Sequence, residues 1–146
     1  MKYKEVISAA AGTAGAIIVK LTGGWNGALC TLLIFMAADY LTGLILAAVF
    51  KKSPKSNNGS LESRAGWKGL ARKGITLLIV MLAFRLDALT NQSFIASGVI
   101  IAFITNEAIS ITENAALIGI PMPAPLLKAI DVMKSDASLQ TADTEE

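Results

Sequence analysis

Asp39 is the only charged residue in the stretch from Ala28 to Phe50. Glu107 and Glu113 follow a second apolar run, Phe94 to Thr105, and are flanked by Asn106, Ser110 and Asn114. On a helix, Glu107, Ser110 and Asn114 fall at i, i+3 and i+7, and Asn106, Ser110 and Glu113 at i, i+4 and i+7, so both sets mark one polar side. Arg85 and Asp87 interrupt a third apolar segment. Charges, amides and hydroxyls spaced this way in apolar surroundings serve ion pairing or a water-lined path rather than bond-making. Bond-making chemistry lacks its usual parts. Histidine is absent, and Cys30, the one cysteine, reads as a small apolar residue of a helix. With no nucleophile–base set and no metal-ligand cluster, the expectation is a non-enzyme without cofactor or metal.

The elements that must carry these residues are apolar. Of 146 residues, 53% are hydrophobic and 16% charged, against about a quarter charged in soluble domains, so much of the chain is expected to avoid water. The net charge of +2 is too small to suggest a nucleic-acid partner. The reading is an all-α integral membrane protein with three to four transmembrane helices, a basic cytoplasmic loop and a short C-terminal amphipathic helix. Residues 1–134 form one membrane domain with spans near 6–21, 28–50, 74–90 and 94–114, and residues 135–146 form a disordered acidic tail. Lys20 and the lack of a good cleavage site make the first apolar segment an uncleaved span rather than a signal peptide. A turn over Thr22–Gly27 places Trp25 at a membrane interface. Residues 51–66 read as loop. Trp67, Leu70 and Ala71 alternate with Lys68, Arg72 and Lys73 as in an interfacial helix. Pro121, Pro123 and Pro125 stop the fourth span, and Leu126–Lys134 reads as an amphipathic helix on the membrane surface.

Insertion of the second segment survives its acid. A central Asp costs about 2.5–3.5 kcal/mol, and each Leu, Ile, Phe or Val returns up to about 0.3–0.6 kcal/mol. The segment holds eleven such residues, for a sum of roughly 3–6 kcal/mol. The first segment is marginal, with six strongly apolar residues against four Gly, Ser or Thr, so a three-span version with a surface-lying first helix stays open. Seven Lys or Arg from Lys51 to Lys73, against Glu62 alone, place the central loop in the cytoplasm, and both termini with it.

Asp39 lies twelve residues before Lys51, and Arg85 twelve after Lys73. If both lysines mark one membrane surface, the two charges share a depth, and an intramembrane Asp39–Arg85 pair, within a chain or between subunits, is expected. The competing reading has Arg85 snorkelling outward and Asp39 protonated. Glu107 is expected on a water-filled path, and Glu113 in the headgroup zone. Ser8, Gly12 and Ala16 repeat every four residues, as do Gly43 and Ala47. Such small-residue faces let helices approach closely and support oligomers.

Three stretches resemble a known family. They are Ile34-Phe35-Met36-Ala37-Ala38-Asp39-Tyr40-Leu41-Thr42-Gly43, then Gly66-Trp67-Lys68-Gly69-Leu70-Ala71-Arg72-Lys73, and Asn106-Glu107-Ala108-Ile109-Ser110-Ile111-Thr112-Glu113-Asn114 running into Gly119-Ile120-Pro121-Met122-Pro123. In order, spacing and residue type they are similar to the toxin-secretion and phage-lysis holins, over roughly residues 28–134. The resemblance implies homo-oligomeric holes in the bacterial cytoplasmic membrane, in contact with lipid. Through these an endolysin, as functional partner, reaches peptidoglycan, or a toxin is released. By motif match, Asp39, Thr42, Gly43, Asn106, Glu107, Glu113 and Asn114 are the characteristic positions. The loop from Ser53 to Ser63 is long for this pattern, and Arg85 replaces an uncharged or weakly basic residue. Two other readings remain at this point: a small four-helix multidrug-type transporter, with Tyr40 beside a membrane-embedded acid, and a regulatory subunit without a pore, such as an antiholin.

Overall fold

The computed structural model describes residues 2–21, 26–56, 58, 59 and 61–142. The turn containing Trp25 therefore lies largely outside the described residues, as do residues 143–146 of the tail. Five helices follow in order. They are α1 (Lys2–Leu21), α2 (Gly27–Ile45, continued by a π-helical turn, Leu46–Phe50), α3 (Ser63–Thr90), α4 (Ile95–Ile118) and α5 (Ala124–Ala142). No strand occurs among the described residues.

Each boundary has a local cause. The Asn26 side chain accepts a hydrogen bond from the Leu29 amide at 2.7 Å and starts α2. Lys51 and Asn91, both left-handed, end the π turn and α3. Asp87, near the end of α3, accepts from the amides of Ile95 (3.0 Å) and Ala96 (2.9 Å) and so caps α4 from outside it. Gly119, at φ 93°, closes α4 by donating to the carbonyls of Ala115 and Ala116, and prolines follow.

α2 and α4 run parallel, and α3 lies antiparallel against both. Leu29, Leu32 and Met36 of α2 meet Val80 of α3 and Ile100 and Ile104 of α4 in a buried apolar layer. Moving seven residues along each helix, from Leu32 to Asp39, Val80 to Lys73 and Ile100 to Glu107, leads to a polar layer, about 10 Å away at 1.5 Å per residue. α1 touches only α3 among the described elements. Its residues Ser8, Gly12 and Ala16 are exposed, and nothing approaches a Cβ built on Gly12. Gly43 and Ala47 instead face inward. Ala47 is buried, and a Cβ on Gly43 would lie 3.7 Å from the Asn114 amide nitrogen.

Several expectations need correction. Of the three or four expected spans, two helices among the described residues, Gly27–Phe50 and Ile95–Ile118, are long and apolar enough to cross a membrane. The third apolar segment, from near residue 74, is the second half of a 28-residue helix that takes in the basic arm and part of the expected loop. Gly66 and Gly69 weaken helix propensity by about 1 kcal/mol each. They also make room for Tyr40, since a Cβ on Gly66 would lie 3.6 Å from its hydroxyl and one on Gly69 3.9 Å from its ring. α4 runs past Asn114 to Ile118. α5 is longer than the expected Leu126–Lys134 helix and continues to Ala142, into the stretch read as a disordered tail. It also folds back onto α4, with Ile130 buried and Met133 against the apolar layer, so it does not lie apart as a separate surface helix.

Candidate functional site

The polar layer is a cluster built by three helices. The ammonium of Lys73 donates to Asp39 Oδ2 at 2.8 Å and to Glu107 Oε2 at 2.6 Å. All three side chains are largely shielded, at 14%, 9% and 10% exposure, so the ion pairs are desolvated ones. Asn114 donates its amide hydrogens to Asp39 Oδ1 at 3.3 Å and to Thr42 Oγ1 at 3.1 Å. The Thr42 hydroxyl in turn donates to the Asp39 carbonyl at 3.0 Å. Ser110 stands against the Asp39 carboxylate. Buried charges of this kind persist where each has partners of good geometry, and here one cation serves two acids. Lys73 thereby ties α3 to both α2 and α4.

A cavity of about 590 Å³ opens beside the cluster between α2, α3, α4 and the 51–62 loop. Asp39, Lys73, Glu107 and Ser110 line its inner end, and Asn106 stands on its wall, exposed. Lys55 and Glu62 line it from the loop, and Lys68 and Arg72 from α3. On the other side of the cluster the apolar layer from Leu29 to Ile104 closes the interior. The arrangement is a polar recess with an ion-paired floor above an apolar seal.

Asp39, Thr42, Glu107, Ser110 and Asn114 are thus brought together. Three other candidates are not. Glu113 is exposed and borders a shallow depression with Pro121 and Met122. Asn106 reaches the cavity but not the cluster. Arg85 is exposed and makes no ion pair among the described residues. Within the chain the expected Asp39–Arg85 pair does not form, because Arg85 lies twelve positions beyond Lys73 on α3, about 18 Å away along the axis. Lys73 does not mark the membrane surface, as a shared depth for Asp39 and Arg85 requires. With α3 starting at Ser63, the level of Lys51 falls near the start of that helix, and Lys73 falls level with Asp39. Lys73 itself was missed as a site residue. Its signal was present: it is the last of the basic run and borders Gly74-Ile75-Thr76-Leu77 directly.

The fold and cluster define a class: an all-helical chain, two of whose helices suit a bilayer, that keeps acids and a lysine paired inside an otherwise apolar bundle. The match to known proteins makes the class specific. Residues 16–135 match the model of the bacteriophage holin family, and the chain belongs to that family. It is 32% identical over 111 residues to a probable holin of Bacillus phage phi105, covering 75% of this chain and 76% of that protein. It is 37% identical over 118 residues to an uncharacterized 14.9 kDa protein from the nagH 3′ region of Clostridium perfringens, covering 80% and 83%. An uncharacterized protein of Halalkalibacterium halodurans is 33% identical over 144 residues, covering 94% of this chain and 96% of that one. No solved structure matches.

Proposed function

We propose that this chain is a holin. It accumulates in the bacterial cytoplasmic membrane, associates with copies of itself and opens holes through which an endolysin reaches peptidoglycan. The observation that carries the reading is the family match over residues 16–135, together with the phage relative named a probable holin. The surface supports it. Ile34, Leu41 and Val49 of α2 and Ile75, Leu78, Leu82 and Leu89 of α3 are exposed large hydrophobic residues, a pattern that soluble monomers avoid and lipid accommodates. In this reading α3 also spans from about Gly74 to Thr90, and α1 is a marginal fourth span, with both termini and the basic loop in the cytoplasm. Arg85, five residues before the end of α3, then snorkels to the outer interface.

The resting state is the closed bundle, sealed by the apolar layer and tied by Lys73. Opening requires that tie to break, so that Asp39, Glu107, Ser110 and Asn114 come to face water in an assembly joined through small-residue faces such as Ser8, Gly12 and Ala16. Collapse of the membrane potential is the proposed trigger, since one charge crossing the field exchanges about 2.3 kcal/mol per 100 mV. The test is induced expression with membrane potential and crosslinked species followed together. An abrupt depolarisation that coincides with the appearance of oligomers is expected. A chain that inserts, stays monomeric and leaves the potential intact would remove the reading.

A further inference from the structure

We propose that the mouth of the cavity beside Lys73 holds one anionic phospholipid. Its phosphate sits among Lys55, Lys68 and Arg72, and the hydrocarbon nearest its glycerol lies against Leu44, Leu61 and Ile75. The charges are divided along the cavity. At the inner end, Asp39 and Glu107 share one ammonium, so that end is acidic and turns an anion back. At the mouth stand three cations, Lys55 from the loop and Lys68 and Arg72 from successive turns of α3, all exposed. None of the three has a direct ion pair among the described residues, although Lys55 lies within electrostatic reach of Asp39, and Glu62 is the one further carboxylate on the wall. A free inorganic anion would satisfy the cations alone. The apolar wall asks for more, because Leu44, Leu61 and Ile75 line the same cavity at 36%, 53% and 57% exposure. An amphiphile with a phosphate head and a hydrocarbon body complements both parts, and about 590 Å³ is ample for a headgroup and its glycerol. Gly66 and Gly69 add no side chain to the recess beside Tyr40, whose hydroxyl and ring would lie 3.6 and 3.9 Å from a Cβ at the two positions.

The proposal rests on the membrane reading but not on hole formation, so it is tested on purified full-length protein in an uncharged detergent. Phosphatidylglycerol and phosphatidylcholine are offered in mixed micelles, and retained lipid is counted by native mass spectrometry. One phosphatidylglycerol retained in preference to phosphatidylcholine is expected. Lys68→Ala and Arg72→Ala should each weaken retention about fivefold, as for a basic side chain near an anionic headgroup. Arg64→Ala is the matched control, because it removes the same charge from the same helix outside the cavity. Lys55→Ala, in the loop, serves as an independent variant if either α3 substitution lowers helicity. Equal loss on Arg64→Ala would reduce the site to diffuse attraction and overturn the proposal. So would equal retention of the two lipids. Displacement of the lipid by millimolar glycerol phosphate or inorganic phosphate as readily as by phosphatidylglycerol would also overturn it, in favour of a phosphate site that ignores hydrocarbon.

Discussion

Removing Lys73 leaves two carboxylates facing each other in a shielded interior, whereas removing Asp39 leaves Lys73 paired with Glu107. The two substitutions should therefore differ. Lys73→Met is expected to cost about 3–5 kcal/mol, the range for stranding a buried charge, and Asp39→Asn distinctly less. Thermal melts of the purified protein in detergent measure both. Arg85→Gln, at an exposed and unpaired position, should stay within about 0.5 kcal/mol of the parent. If Arg85→Gln destabilised as much as Lys73→Met, Arg85 would be the buried partner and the cluster would be misassigned. Much of this site is legible in the residues alone. Asp39, Glu107, Ser110 and Asn114 stand out because polar groups at helical spacing inside apolar runs need each other. Which cation joins them is not legible, because that depends on where α3 begins.

The start of α3 is a matter of element rather than residue. Gly66, Gly69 and Gly74 argue locally against a helix, and only the Tyr40 ring laid over two of them shows what the glycines accommodate. A local reading therefore divides the segment into loop, arm and span. The long apolar stretches of α2 and α4 are legible because they need no such partner. The glycine contact is testable by size. Gly69→Ala meets Tyr40 at ordinary contact distance and should leave stability unchanged or raise it by up to about 1 kcal/mol. Gly69→Leu must displace the ring, and it should loosen α3 from α2 and lower the melting temperature. At the far end of the bundle, Asp87→Ala removes two hydrogen bonds from the start of α4. A loss of about 1–3 kcal/mol is expected, together with faster amide hydrogen exchange at Ile95 and Ala96. Unchanged exchange there would show that the cap contributes nothing.

For the whole molecule, the structure provides two helices suited to a bilayer, while the proposed topology needs α3 and α1 as well. Cys30 is the only cysteine, so a Cys30→Ala background allows single reporters to be placed. Cysteines at Lys55 and at Ile120, just past the end of α4, should react with an impermeant thiol reagent only from the cytoplasmic side, and one at Gln92 only from outside. Labelling of Lys55 and Gln92 from the same side would remove α3 as a span. Family membership and the buried cluster support the proposed hole formation, and passage of an enzyme through the membrane is its immediate consequence. The measurement is induced expression of this chain with and without an endolysin that lacks an export signal, with culture density recorded. Abrupt lysis only when both proteins are present is expected, because the hole itself leaves the peptidoglycan intact. Confirmed membrane insertion with no lysis in the presence of the endolysin would contradict the account.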